Sequence, residues 1–388
     1  MRKLNTIGLC LLSVLLVGIR ELKSQEVEKP KAWKLKGYLK ELVYLQLDKG
    51  FVHAYPTNLL HQRLNFSWKA GTHFNTAAEL RNRLYWGDEV RLTPGFSAFL
   101  NNTNEQVTAS VHWMETGNAV LHTNVERLWM EYANTRWNIR LGRQRINWAM
   151  ASIWNPNDIF NTYNFIDFDY EERPGIDAIR IRYFIKELSY AEAAFSIGKT
   201  NDKNVAGIRY FFNTKGFDGQ VNAGYYRGCY TAGLAWAGSI KAFGFKGEIQ
   251  HLSKHELDNS QTNIAIEWDY MHKIMGYWAL SFLWNSNGIK QPVKDWEAIN
   301  LSLSPRNPMP TALNLFLNAN KKITPLFNAS LSVVFAPITN ILILMPTLSY
   351  NITNALDVNL VGQSFFAETH SEFSAISHRS FLRLRWSY

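Results

Sequence analysis

Cysteine is scarce in this sequence: two in 388 residues, Cys10 and Cys229. Cys10 lies in an N-terminal apolar run, so the rest of the chain can form no internal disulfide. Long hydrophobic runs are missing too. Mean hydropathy is −0.21, and no internal stretch is long and apolar enough for a membrane helix. Acidic charge is in short supply, with 32 Asp and Glu against 41 Lys and Arg and a net charge of +9. A basic balance suits an acidic partner, which means nucleic acid, an anionic surface or an anionic solute. The common chemical motifs are also absent. There is no Gly-rich phosphate loop leading into Lys-Ser/Thr, no pair of Cys-x-x-Cys motifs and no His-Glu-x-x-His. His251 and His255 are four apart in a strand or loop, where helical spacing has no force, so no metal and no cofactor is expected. No local nucleophile–base signature supports an enzyme.

The N-terminus is informative. Arg2 and Lys3 precede an apolar run from Ile7 to Val17, and Leu22-Lys23-Ser24 places a small residue at a cleavage point. This reads as a secretory signal peptide over 1–24, followed by a single domain over 25–388. Export argues against nucleic acid as the partner.

Aromatics and short alternating segments are plentiful. Leu64, Phe66, Trp68 and Ala70 alternate with Arg63, Asn65, Ser67 and Lys69; Ile264, Ile266, Trp268 and Tyr270 alternate with Asn263, Glu267 and Asp269. Phe327 to Phe335 follows the same rule. Such segments, separated by polar turns like Asn213-Thr214-Lys215-Gly216, Asn320-Lys321-Lys322 and Asn351-Ile352-Thr353-Asn354, are the pattern of a transmembrane antiparallel β-barrel, all-β, with about 18 strands (range roughly 16 to 20). A soluble sandwich or propeller is the alternative. Against it stand aromatics near strand ends (Trp68, Trp86, Trp113, Trp268, Trp284), as interfacial girdles require. The final segment also alternates: Leu382, Leu384, Trp386 and Tyr388 against Arg383, Arg385 and Ser387. It is similar to the C-terminal signal by which barrel assembly machinery takes up outer-membrane proteins. The place implied is the outer membrane of a Gram-negative bacterium, with its lipid as a partner.

In such a barrel the apolar parity faces lipid, because a charge there costs roughly 2–4 kcal/mol at mid-membrane. The other parity faces the lumen. It collects Arg81, Arg83, Arg136, Arg140, Arg180, Arg182 and Arg209, with Arg143 and Arg145 just beyond a strand, and fewer acids (Glu79, Glu126, Glu267, Asp269, Asp357). Rings of arginine favour anions in a pore, and the guanidinium fork suits carboxylate or phosphate. Enclosed arginines also pair with carboxylates and simply hold a wall together.

One stretch organises the chain. Arg136 to Phe184 enters on a strand pattern, leaves on another, and holds nearly thirty residues of Trp, Asn, Asp, Glu, Arg and Pro between. Ordered connections of that length are usually functional. Asn155-Pro156-Asn157-Asp158 reads as a turn running into a short helical turn. The expectation is that the segment folds into the lumen as a constriction, with Asp158, Asp167, Asp169, Glu171, Glu172 and Arg173 set against the arginine wall. Counting hairpins from both ends puts it on the periplasmic side, unless a further strand boundary lies near Ala133-Asn134.

The same stretch carries a resemblance. Leu141-Gly142-Arg143-Gln144-Arg145-Ile146-Asn147-Trp148, Asn155-Pro156-Asn157-Asp158-Ile159-Phe160-Asn161 and Glu171-Glu172-Arg173-Pro174-Gly175-Ile176-Asp177-Ala178 resemble a block of little-characterised Gram-negative outer-membrane porins, related in style to alginate-export-like barrels. Ala149 stands where that block has glycine. The resemblance implies a monomeric pore for an anionic saccharide or organic acid. The sequence thus points to a channel for small anionic or polar solutes; the alternatives are a plugged binding or structural barrel and an outer-membrane enzyme.

Overall fold

The computed structural model describes residues 32–100, 107–162, 164–167, 175–253 and 259–388. Two-residue alternation turns most of them into strands, with β-branched and aromatic side chains on one face and polar ones on the other. The first five strands are β1 (Trp33–Asp48), β2 (Ala54–Ala70), β3 (Phe74–Gly87), β4 (Ser110–Glu115) and β5 (Ala119–Ala133). β6 (Trp137–Gln144) and β7 (Ile176–Lys186) flank the central connection. Next come β8 (Ser189–Ser196), β9 (Val205–Thr214), β10 (Phe217–Tyr226), β11 (Cys229–Ile240), β12 (Phe243–Leu252) and β13 (Gln261–His272). The chain finishes with β14 (Gly276–Asn285), β15 (Leu313–Lys322), β16 (Phe327–Ala336), β17 (Ile341–Asn351), β18 (Leu356–Thr369) and β19 (Glu372–Ser387). Two short helices, α1 (Asp88–Leu92) and α2 (Phe96–Phe99), follow β3.

Each strand pairs antiparallel with its neighbours, and β1 pairs with both β2 and β19, so the sheet closes on itself. β3 pairs directly with β5, while β4 lies along the other edge of β5, above the reach of β6. The closed wall therefore has 18 strands, with β4 as an added ribbon. Closure leaves the 18-strand wall itself without an open edge, the condition for a sheet to cross a membrane.

One end of the barrel carries only turns of two to four residues. At Lys215-Gly216 both residues have positive φ (50° and 82°), the two-residue hairpin geometry that matches strand twist. The other end carries every long connection. Short turns on the periplasmic side and long loops outside is the usual orientation of these barrels. One local expectation is corrected. Lys321 and Lys322 complete β15, and the turn is 323–326. β18 and β19 meet at a tight turn, His370-Ser371.

The wall separates its parities cleanly. Ile208 is 63% exposed, Val221 55% and Leu382 50%, all on the outer face. Arg63, Arg209, Glu192, Glu248 and Asn263 are buried on the inner face. The outward aromatics Trp68, Trp113, Trp268 and Trp284 lie on this apolar exterior. An apolar outer band on a closed barrel is the surface of a membrane-spanning protein of the outer-membrane type. Replacing Ile208 by Arg should cost about 2–4 kcal/mol if that position lies at mid-membrane. Urea unfolding of the protein in lipid vesicles reads this directly, and an unchanged midpoint would contradict the lipid-facing assignment.

Candidate functional site

The connection from β6 to β7 enters the interior of the barrel. A tight turn at Asn134, closed by Trp137 N–H bonds to Asn134 Oδ1 (2.7 Å), separates β5 from β6. That turn is the boundary that hairpin counting missed. It places the central connection at the long-loop end, opposite the periplasmic turns. Ile146, Trp148, Trp154, Asn157, Asp158 and Ile159 are all 2% exposed or less.

The segment is held by carboxylates of the wall. Glu248, on β12, accepts the backbone N–H groups of Met150 (2.7 Å), Ala151 (2.9 Å) and Asn157 (3.0 Å). Glu267, on β13, accepts Ser152 N–H (2.9 Å) and its hydroxyl (2.6 Å). Glu192, on β8, accepts the indole N–H of Trp148 (2.6 Å). Amides of the wall reach carbonyls of the segment in return: Gln220 Nε2 donates to Trp148 O (2.8 Å) and Gln363 Nε2 to Ile166 O (2.7 Å). A segment that takes bonds from β8, β10, β12, β13 and β18 spans much of the lumen. A chain without regular structure must satisfy its buried N–H groups somewhere, and here inward carboxylates do so.

Steric room comes from glycine. A Cβ on Gly207 would lie 2.7 Å from the Trp148 ring, and one on Gly233 would overlap the Asn157 amide. Trp148 also packs edge-on against Phe160, with centroids 5.1 Å apart. The second long connection, 286–312, also turns inward: Met309 is fully buried, and Asn263 and Asn285 donate to Pro305 O and Met309 O, both at 3.0 Å.

The turn at Pro156-Asn157 is present without a helical turn after it. Asp158 accepts Trp148 N–H (3.1 Å), within its own segment. Asp167 borders the described part, and Asp169, Glu171, Glu172 and Arg173 lie outside the described residues. The expected arrangement, carboxylates of the segment against arginines of the wall, is reversed at the contacts just given: wall carboxylates grip the segment's backbone.

The nine arginines divide. Arg140, Arg145, Arg180, Arg182 and Arg209 come together around a chamber of about 530 Å³, with Asn147, Ala149, Met150, Tyr190, Phe211 and Gln220. Among the described residues, two wall carboxylates face four of them. Arg140 bonds Glu131 (2.5 Å); Arg182 and Arg209 meet Glu192 at 2.6 and 3.2 Å; Arg180 lies 3.7 Å from Glu131 and 4.0 Å from Glu192. Among the described residues, Glu131 and Glu192 thus pair with four of these five guanidinium groups. Arg209 also faces the Trp148 ring, 5.4 Å from its centroid.

The other four lie elsewhere. Arg143 is 5% exposed and makes a two-pronged pair with Asp177 (2.9 and 3.0 Å), with further bonds to Val125 O and Val107 O. It locks the top of β6. Arg81 pairs with Glu126 (3.4 Å), and Arg83 bonds His122, Tyr85 and Leu100 O near α2. Arg136 is exposed in the Asn134 turn rather than in a strand. Three carboxylates of this site, Glu131, Glu192 and Glu248, escaped the sequence reading. Their parity could have revealed two of them: Ala191, Ala193 and Phe195 bracket Glu192, and Phe245 and Ile249 bracket Glu248, but alanines and glycines blur both patterns.

On the other side of the Glu248 anchor, Ser152, Ile153, Phe165, Tyr277, Phe316 and Thr347 line a pocket of about 300 Å³ with Asn318 and Gln363. The anchor at Met150–Ala151 stands between the two cavities along the segment. Replacing Glu248 by Ala would orphan three buried N–H groups, and charge-assisted bonds of this kind contribute about 1.5–3 kcal/mol each. The expected result is a loosened segment, read as faster protease nicking within 145–167 with the barrel still folded; cleavage as slow as in the parent would refute the anchoring role.

No protein-family model and no curated protein matches the chain. Solved structures do. OccAB4 of Acinetobacter baumannii aligns over 92% of this chain and 98% of its own, with 9% identity and a TM-score of 0.59. OccK3 (OpdO) of Pseudomonas aeruginosa aligns over 92% and 95%, with 7% identity and a TM-score of 0.58. OpdK of Pseudomonas aeruginosa, solved with vanillate, aligns over 91% and 98%, with 10% identity and a TM-score of 0.55. The chain therefore has the fold of the Occ/Opd outer-membrane porins, an 18-strand barrel of Gram-negative outer-membrane type.

Proposed function

We propose that the protein is an outer-membrane channel for small solutes that favours anions, organic acids or anionic saccharides among them. The observation that carries this reading is the chamber of Arg140, Arg145, Arg180, Arg182 and Arg209 beneath an infolded segment. Guanidinium groups that line a pore attract anions and repel cations more strongly than the same charges in open water. Planar guanidinium groups suit carboxylates. The aromatic pocket across the anchor favours a solute with an apolar body behind its charge. The fold likeness to OpdK, crystallised with vanillate, is consistent with a small carboxylate. In this reading the infolded segment, Asp158 and Asp167 included, is the constriction, and the alternating strand Leu382–Tyr388 is what assembly machinery would engage.

A second reading has its own observation. Two connections fill the long-loop end, and Trp154, Ile166, Met309, Phe316 and Ile343 form an apolar cluster there. A barrel plugged in this way would bind solute without conducting. An enzyme has less behind it, since the solved relatives in fold are channels.

Conductance of the refolded protein in planar bilayers separates these readings. Open channels with a reversal potential on the anion side are expected in a salt gradient. Selectivity should weaken as salt rises from about 0.1 to 1 M, because the screening length falls from about 10 to 3 Å. Arg182→Gln and Arg209→Gln should each lower anion preference without closing the pore. A folded barrel that never conducts would favour the plugged reading, and cation preference would overturn the anion proposal.

A further inference from the structure

Charge is spread unevenly around the lumen. Strands β5 to β9 carry most of the arginine chamber and its two carboxylates. Strands β14 to β17 hold no charged residue except Lys321 and Lys322, at the periplasmic end of β15. Their inward positions include a set of amides and hydroxyls instead: Asn318 and Asn320 on β15, Ser330 and Ser332 on β16, Thr347 and Ser349 on β17. The register sets Asn318 beside Ser332, Asn320 beside Ser330, and Ser330 beside Thr347. All six are half-buried. They form one uncharged ladder that climbs from the periplasmic turns to the pocket across the Glu248 anchor.

No charged side chain lines that pocket among the described residues. Charges stop at its borders. Lys246 is paired with Glu267 (2.9 Å) and Asp269 (3.0 Å), and Arg379, opposite Gln363 in the register, lies over the Phe365 ring, 5.5 Å from its centroid. The apolar part of the lining is fixed by ring packing. Phe165 and Phe316 stand 5.9 Å apart, and Trp154 packs edge-on against both, at 6.3 and 6.1 Å. The polar part has one unmet need. Gln363 is 2% exposed, and its Nε2 is spent on Ile166 O (2.7 Å). That bond to a carbonyl fixes which end of the amide is nitrogen. Its Oε1 has no hydrogen-bond partner among the described residues, and a buried acceptor of this kind calls for a donor.

We propose that this side of the lumen is a separate lane for uncharged solutes, and that its pocket holds a neutral sugar ring. A carboxylate confined there would set oxygen against Gln363 Oε1, and any full charge would lose water without meeting a counter-charge. A sugar hydroxyl supplies the donor that Gln363 lacks. Hydroxyls also donate and accept at once, as do the amides and hydroxyls of Asn318, Ser332 and Thr347. The C–H face of the ring packs against Phe165 and Phe316. The volume of about 300 Å³ is at the small end of ligand sites, which suits a single ring. Below the pocket the ladder offers the same chemistry step by step toward the periplasm. The lane needs neither the arginine chamber nor its charge, so it stands independently of the anion reading.

Swelling of proteoliposomes in isosmotic glucose tests the proposal. The parent protein should admit glucose well above the rate of protein-free liposomes. Thr347→Val and Gln363→Met should each slow glucose entry several-fold, as should Asn318→Trp, which fills the pocket. None of the three should move the reversal potential in a salt gradient. Arg182→Gln and Arg209→Gln should do the opposite, changing ion preference and leaving glucose entry as it was. Heat-modifiable gel mobility checks that each variant is folded. Glucose entry without anion preference would leave the lane standing and sink the anion reading alone. Swelling no faster than in protein-free liposomes, or glucose entry unchanged in the folded pocket variants, would overturn the lane.

Discussion

Every other feature of this molecule depends on the closure of the wall. A sheet with a free edge would leave a row of N–H and C=O groups facing hydrocarbon, at several kcal/mol each. The pairing of β1 with β19, from Tyr38–Ser387 to Asp48–Ser377, removes that edge. Once the wall is closed, each strand has an inside and an outside, and a two-residue alternation becomes a division between lumen and lipid. The arginines, the carboxylates and the glycines of the site act as they do because closure puts them indoors.

Enclosure then raises the stakes of each charge. Glu192 and Glu248 are almost wholly buried, where an unpaired carboxylate would be costly. Each is answered, Glu192 by arginines and an indole N–H, Glu248 by backbone N–H groups of the infolded segment. The two sets of bonds are linked through Trp148. Its indole bonds Glu192, its carbonyl accepts from Gln220, and its ring faces Arg209. The segment is thus one wall of the arginine chamber and not a separate lid.

The legible parts of this structure were those set by local rules. The outward parity of Phe66, Trp68, Ile208 and Leu382 could be read directly, because lipid imposes one rule along every strand. The strand number and the inward parity of Arg180, Arg182 and Arg209 followed from it. The turn at Asn134 was harder to see, since a three-residue turn between two good strand patterns leaves little trace; missing it put the central connection on the wrong end. The inward course of 286–312 was hidden because its composition is that of an ordinary polar loop.

The sequence by itself determined the class of molecule: a two-residue alternation repeated along the chain follows from residue order, since it depends only on near neighbours. It also singled out the stretch from Arg136 to Phe184. Only the tertiary structure decided which arginines share a chamber. Arg140, Arg145, Arg180 and Arg209 come from separate segments, and their meeting depends on barrel register and on where the segment is anchored. Arg143, two residues from Arg145, was diverted to Asp177 and two carbonyls for the same reason. Partners such as Glu248 and Met150, 98 residues apart, meet because a closed wall faces itself, a constraint that no local pattern in the chain records.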